Sequence, residues 1–119
     1  MALGRVGGIL EAKKIASMAE AHYVQIAPHL YCGPIAAAAD IQVSTCSPNF
    51  LIQESILTWG GFHAQILKSP LQWQDGYILP PKGPGLGVEL NEAVAEQHPY
   101  TGTKLHLEMT EFPVTFEIF

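Results

Sequence analysis

The first half of the chain alternates between two kinds of segment, and that alternation restricts the fold more than any other feature. Gly7-Gly8 opens a stretch from Ile9 to Ala21 that is rich in helix formers. Its apolar residues Leu10, Ile15, Met18 and Ala19 recur near the helical period of about 3.6 residues, with Glu11, Lys13, Lys14 and Glu20 mostly on the other side. An amphipathic helix is predicted there, one that needs a sheet or a second helix to cover it. Tyr23–Ala27 follows, a short β-branched run ended by Pro28, and reads as a buried strand. Pro34 suits the first position of a second helix, Ile35 to about Cys46, because proline sacrifices no hydrogen bond at that place. The alanines from Ala36 to Ala39 allow a close neighbour, and Ser47-Pro48-Asn49 stops the helix. Phe50–Glu54 is a second apolar strand that again ends in a polar residue.

Helix, strand, helix, strand is the pattern of an α/β fold with a parallel sheet and crossover helices. In such sheets functional groups stand just beyond the carboxyl ends of the strands. His29 and Glu54 both occupy that position. Strands consecutive in sequence usually lie side by side, which would bring the two groups to one rim.

Each has a plainer interpretation. The His29 imidazole can donate or accept a proton near neutral pH, but a loop histidine bonded to backbone is the ordinary alternative. A carboxyl at the end of an apolar strand is costly unless something uses or pairs it. For Glu54 that partner could equally be a Lys or Arg. Neither choice is settled by position.

From Ser69 onward prolines and glycines crowd in, and the chain divides into residues 1–68, carrying the βα units, and a loop-rich segment 69–119. Short strands at Gly76–Leu79 and Leu105–Met109 and a helical turn at Asn91–Glu96 are expected within it. Gly83-Pro84-Gly85-Leu86-Gly87 looks superficially like a phosphate-cradling loop, but no lysine and serine follow the glycines, so a turn-rich connector is the better assignment. His22, His63, His98 and His106 lack metal-ligand spacing and read as structural or surface groups. Trp59 and Trp73 read as packing residues, with ligand stacking as the alternative.

Charge narrows the partners. Six basic residues stand against 11 acidic ones, a formal net charge of -5, and no basic stripe exists to track a nucleic-acid backbone. Apolar stretches break well short of the roughly 20 residues a membrane helix needs, and the first residues lack a signal-peptide hydrophobic region. A cytoplasmic location is the resulting expectation. Hydrophobic residues at 48% indicate a core-rich chain, while 14% charged residues is low for a small free-standing domain and suggests a piece of something larger. Cys32 and Cys46 are expected to be buried, reduced thiols, with a disulfide as the alternative.

Gly7-Gly8-Ile9-Leu10-Glu11-Ala12-Lys13-Lys14-Ile15-Ala16, then Ile26-Ala27-Pro28-His29, Gly33-Pro34-Ile35-Ala36, Gln53-Glu54 and Gly83-Pro84-Gly85-Leu86-Gly87-Val88-Glu89-Leu90 follow one another in an order that is informative in itself. The series closely resembles the mandelate racemase/muconate lactonizing branch of the enolase superfamily, and within it the acid-sugar dehydratases of the galactonate type. The resemblance implies a (β/α) barrel, of which this chain would hold the last two strands with their crossover helices. The tail would return to a capping domain. A whole barrel takes about 250 residues.

The resemblance also implies a reaction in which a proton α to a sugar-acid carboxylate is removed, magnesium and hydrogen-bond donors stabilise the enediolate, and a β-hydroxide departs. His29 would be the general base or the acid that assists the leaving hydroxide. Glu54 would lie beside the substrate carboxylate, donating a hydrogen bond if protonated. The family's magnesium ligands belong to strands that precede the matching region, so none is expected in this chain. The acidic partner of the histidine belongs five residues before Gly7, where Ala2 stands. The chain alone is therefore expected to be an inactive C-terminal fragment of a magnesium-dependent dehydratase. The alternatives are an interaction module that self-associates or docks on a full-length or complementary chain, a racemase or cycloisomerase of the same superfamily, and a small α/β domain that binds sugar acids independently.

Overall fold

The computed structural model describes residues 1–56 and 59–100. Within them the order is α1 (Leu3–Val6), α2 (Ile9–Ala21), α3 (Pro34–Thr45), a 3-10 turn at Gly61–Ala64, β1 (Gln72–Gln74), β2 (Tyr77–Leu79) and α4 (Glu92–Gln97). Both long helices stand where the sequence places them, with Pro34 opening α3. The expected turn at Asn91–Glu96 is α4, and the expected strand at Leu105–Met109 lies outside the described residues.

α3 organises the rest. Ala37, Ala38 and Ile41 belong to the main core with Leu30, Ile66, Leu67 and Leu71, while Val43 packs with Leu3 and Ala12 on another side. A helix buried on more than one side cannot be strongly amphipathic, and its alanines let both neighbours approach closely. The same logic reverses the expected face of α2. Ala12 and Ala16 are fully buried, whereas Leu10 and Met18 are 68% and 61% exposed. The small face of α2 meets α3, where Ala12 packs against Ala39 and Val43.

The two expected strands are reduced to a single parallel bridge between Ile26 and Phe50. Ile26 donates its N–H to Asn49 O (2.8 Å), and Leu51 donates to Ile26 O (2.9 Å). Tyr23 has a φ of 57°, outside the extended region, so the first segment straightens only near Ile26. Each segment also lacks a second ladder partner among the described residues.

Downstream, β1 and β2 form an antiparallel hairpin. Its two-residue turn, Asp75-Gly76, has positive φ at both positions, the backbone that matches strand twist in tight hairpins. The 83–87 segment is a connector: Gly87 donates to Pro84 O (3.0 Å), and Leu86 and Val88 pack on the main core. Gly87 has a φ of 74°, and a Cβ there would stand 2.5 Å from Pro81 Cβ. Gly85 also has positive φ but open space around it. Urea denaturation should therefore rank Gly87→Ala as the more damaging substitution, by about 1–3 kcal/mol beyond Gly85→Ala. Equal losses would show that the Pro81 contact is not what requires glycine.

Candidate active site

The register set at Ile26 and Phe50 determines where the next polar groups fall. Asn49 holds the start of the second segment in place, its Nδ2 donating to Ala16 O of α2 and to Val24 O, both at 2.9 Å. Two and three residues past Leu51, the Gln53-Glu54 pair crosses back to the first segment. Gln53 Nε2 donates to Pro28 O (3.2 Å), and Ser44 Oγ on α3 donates to Gln53 Oε1 (2.9 Å). Pro28 and Leu30 are almost completely buried, so they anchor the chain on both sides of the exposed His29.

The structure brings His29 and Glu54 into contact. His29 Nδ1 lies 2.5 Å from Glu54 Oε2, and the same oxygen accepts the Leu30 N–H at 3.0 Å. A carboxylate oxygen can only accept, so Nδ1 carries the hydrogen and the lone pair of a neutral ring resides on Nε2. Glu54 Oε2 thus acts as an acceptor toward two donors on the neighbouring segment. Both side chains are about half exposed, as groups at a rim should be. The His29 backbone N–H donates to Met1 O (2.7 Å), which ties the loop to the start of the chain. Ala2 forms the N-cap of α1 and offers no carboxyl group to the imidazole.

Two features near the rim go beyond the sequence expectation. Trp59 donates its indole N–H to Cys32 O (2.9 Å) and stands 6.5 Å from Trp73, so the two tryptophans pair with each other and brace the loop after His29. Asp40 on α3 is 1% exposed, and its Oδ1 has no hydrogen-bond partner among the described residues. The signal for Asp40 was a lone acid inside an alanine-rich helix, on the stripe that includes Ala37 and Ser44. Burial pushes its carboxyl up to about 6, partly offset by the positive charges of the amino terminus and His29.

The cysteines are free, as expected of reduced thiols, but both residues are exposed rather than buried. They lie at the two ends of α3, in the loop before it and at its C-cap, where neither is covered by the core. Partial burial of the Cys32 thiol, with the Asp40 charge adding to it, pushes its pKa up. That disfavours the thiolate a nucleophile needs. Phe62 stacks on His98 with ring centroids 4.8 Å apart, a packing role for that histidine. Among the described residues no group of three or more His, Cys, Asp or Glu side chains stands together as a metal site. The described residues therefore assemble no side-chain ligand set for a magnesium ion. No helix among them is long and apolar enough to cross a membrane.

Comparison with known proteins identifies relatives of the chain as a whole. The family described as Enolase C-terminal domain-like matches residues 1–94. D-galactonate dehydratase from Ralstonia pickettii is 44% identical over 101 residues, covering 77% of this chain and 26% of that protein. Among solved structures, a candidate mandelate racemase/muconate lactonizing enzyme from Burkholderia SAR-1 is 66% identical with a TM-score of 0.82, covering 93% of this chain and 28% of the other. A mandelate racemase/muconate lactonizing enzyme from a Sulfitobacter species is 54% identical with a TM-score of 0.80, covering 95% and 28%. The chain thus spans about a quarter of the length of the proteins it matches.

The Asp40 pKa has a consequence for stability with a definite sign. Its ordinary value of 3.8 is raised to about 6 in the fold by burial. The folded chain therefore holds this proton where the unfolded chain has lost it, and its contribution weakens as pH rises from about 4 through 6. Measured by denaturation at pH 5 and pH 7.5, the stability difference should move in favour of Asp40→Asn at the higher pH, by about 1 kcal/mol. A difference independent of pH would mean that Asp40 ionises as freely in the fold as in water.

Proposed function

This chain belongs to the Enolase C-terminal domain-like family, in the mandelate racemase/muconate lactonizing branch of the enolase superfamily, and on that premise we propose that it supplies the proton-transfer rim of an acid-sugar dehydratase. The observation that supports this is the held imidazole: Glu54 fixes Nδ1, and among the described residues no contact engages Nε2. A histidine oriented through one nitrogen and open at the other is the arrangement general acid–base chemistry requires. The substrate class follows from the likeness to D-galactonate dehydratases.

In this scheme the sugar-acid carboxylate lies toward the rim and Nε2 of His29 faces the reacting carbons. Nε2 accepts the proton from the carbon α to the carboxylate, or returns a proton to the β-hydroxyl as it leaves. The electron pair of the broken C–H bond moves into the enediolate, the β C–O bond breaks, and the hydroxide departs as water. Glu54 stabilises the imidazolium that forms while the proton is held. Magnesium, when bound in a complete relative, would stabilise the enediolate. With a quarter of a relative's length, the chain alone is read as inactive.

A chimera tests the reading. Residues 1–94 would replace the matching segment of the R. pickettii dehydratase, and D-galactonate turnover would be followed by loss of the substrate α-hydrogen. An active chimera whose kcat falls about 10²–10⁴-fold on His29→Asn is the expected result. A folded, active chimera indifferent to His29→Asn would remove the assignment. Exchange of the α-hydrogen with solvent deuterium without loss of water would point instead to a racemase or cycloisomerase.

A second reading is favoured by a separate observation. Val24, Leu51 and Ile52 flank the parallel bridge and are 54%, 59% and 62% exposed. An apolar, exposed strand edge can pair with another chain. On this reading the chain docks on a complementary or full-length relative as a non-catalytic module. Size-exclusion chromatography should then show self-association, or binding to the full-length dehydratase, that Leu51→Lys abolishes. A monodisperse monomer with a sharp thermal transition and no binding would rule the module out.

A further inference from the structure

The backbone on both sides of His29 is held by hydrogen bonds as well as by packing. Pro28 O accepts from Gln53 Nε2 (3.2 Å), the His29 N–H donates to Met1 O (2.7 Å), and the Leu30 N–H donates to Glu54 Oε2 (3.0 Å). Two of these three partners belong to the adjacent residues Gln53 and Glu54. The parallel bridge itself ends earlier. Past Leu51 no backbone hydrogen bond among the described residues joins the two segments, so side chains carry the connection from there to the rim.

We propose that Gln53 is a positioning residue for the His29–Glu54 pair, aimed by Ser44 of α3. The proposal rests on His29 as the proton-transfer group and deepens that assignment. The Gln53 Nε2 that donates to Pro28 O also donates to Glu54 O, at 3.0 Å. One amide nitrogen thus ties the carbonyl that precedes His29 to the carbonyl of Glu54, and it spans the two segments that carry the pair. A side-chain amide nitrogen has two hydrogens, and both are engaged. Because both partners are carbonyl oxygens, the nitrogen must face them and Oε1 must face Ser44. The Ser44 hydroxyl answers by donating (2.9 Å), from a buried position near the end of α3.

The chemistry of residue 53 follows from those three bonds. A carboxylate there would turn acceptors toward two carbonyl oxygens. An apolar side chain of the same length would fill the space and leave both carbonyls without their donor. Glu54 sets the ring through Nδ1, and Gln53 sets where the two backbones stand when it does so. For a proton-transfer group this matters beyond stability, since a displacement of about 1 Å can lower a rate about 10²-fold.

Two substitutions test the assignment. Gln53→Met keeps the length of the side chain and removes both donors; Ser44→Ala keeps the donors and removes the group that aims them. In the 119-residue chain, ¹⁵N nuclear magnetic resonance of the His29 ring, at a pH where it is neutral, reads which nitrogen carries the hydrogen. The unsubstituted chain should show Nδ1–H. Either variant should move the ring toward Nε2–H, while His22 and His98 keep their tautomers. Gly87→Ala, whose contact is with Pro81, should lose stability and leave the His29 tautomer in place. In an active chimera, Gln53→Met should lower kcat about 10–10²-fold with KM nearly unchanged. A His29 tautomer unmoved in folded Gln53→Met, or in Ser44→Ala should the first variant fail to fold, overturns the proposal. So does one that moves as far in Gly87→Ala. The tautomer needs no turnover, so the two assignments fail separately. A shifted tautomer beside a chimera indifferent to His29→Asn removes the catalytic reading alone. A chimera that needs His29 but whose kcat ignores Gln53→Met removes the role of Gln53 alone.

Discussion

Ile26 and Phe50 meet side by side through two backbone hydrogen bonds, and the arrangement of the rim depends on that register. Side chains along an extended segment alternate in direction, so a slip of one residue would turn Glu54 away from His29 and leave the Leu30 N–H without its acceptor. The bridge is short, yet it is supported from outside the sheet. Asn49 ties it to α2, Gln53 and Ser44 tie it to α3, and Lys13 reaches from α2 to Cys46 O at the carboxyl end of α3. The last contact places a cation where the helix carbonyls need one. Side-chain bonds from both helices thus do work that a longer ladder would otherwise do.

Packing explains why α3 could bear this role. Its run of alanines is unremarkable as a sequence, but two neighbours can close on it at once, one on each side. That closeness is what buries Asp40 and what makes Ala12 and Ala16, rather than the larger residues of α2, the contact face. The rim is exposed while its support is dry. Such contrast would suit the proposed proton transfer, in which the His29 nitrogen meets a ligand while the elements that carry it stay fixed.

Much of this was legible in the sequence, for reasons that differ by element. Helices α2 and α3 could be read because helix formers, Gly7-Gly8 and Pro34 act locally. That His29 and Glu54 would meet could be read because both end strands consecutive in sequence, which usually lie side by side. The length of the strands was not legible: β-branched composition shows a preference for extension, and pairing needs a partner that local sequence does not specify. The exposed face of α2 was misjudged because periodicity marks where apolar residues fall, not which of two faces a neighbour is shaped to accept. Cys32 and Cys46 were expected inside on residue type alone, while their positions at the two ends of α3 leave them outside. Asp40 was missed because a single acid in a helix is ordinarily a solvated one, and only the packing reveals that this one is enclosed.

The brace formed by Trp59 has a further consequence. These are the only two tryptophans in the chain, and they stand as a tilted pair with one indole bonded to the carbonyl of Cys32. Nearly all the long-wavelength ultraviolet absorption and emission of the protein therefore originates within one small region beside the His29 loop. A change in that loop would alter the polarity around an indole and the coupling between two chromophores together. The chain carries its own optical reporter, sited by its packing next to the groups whose geometry matters most.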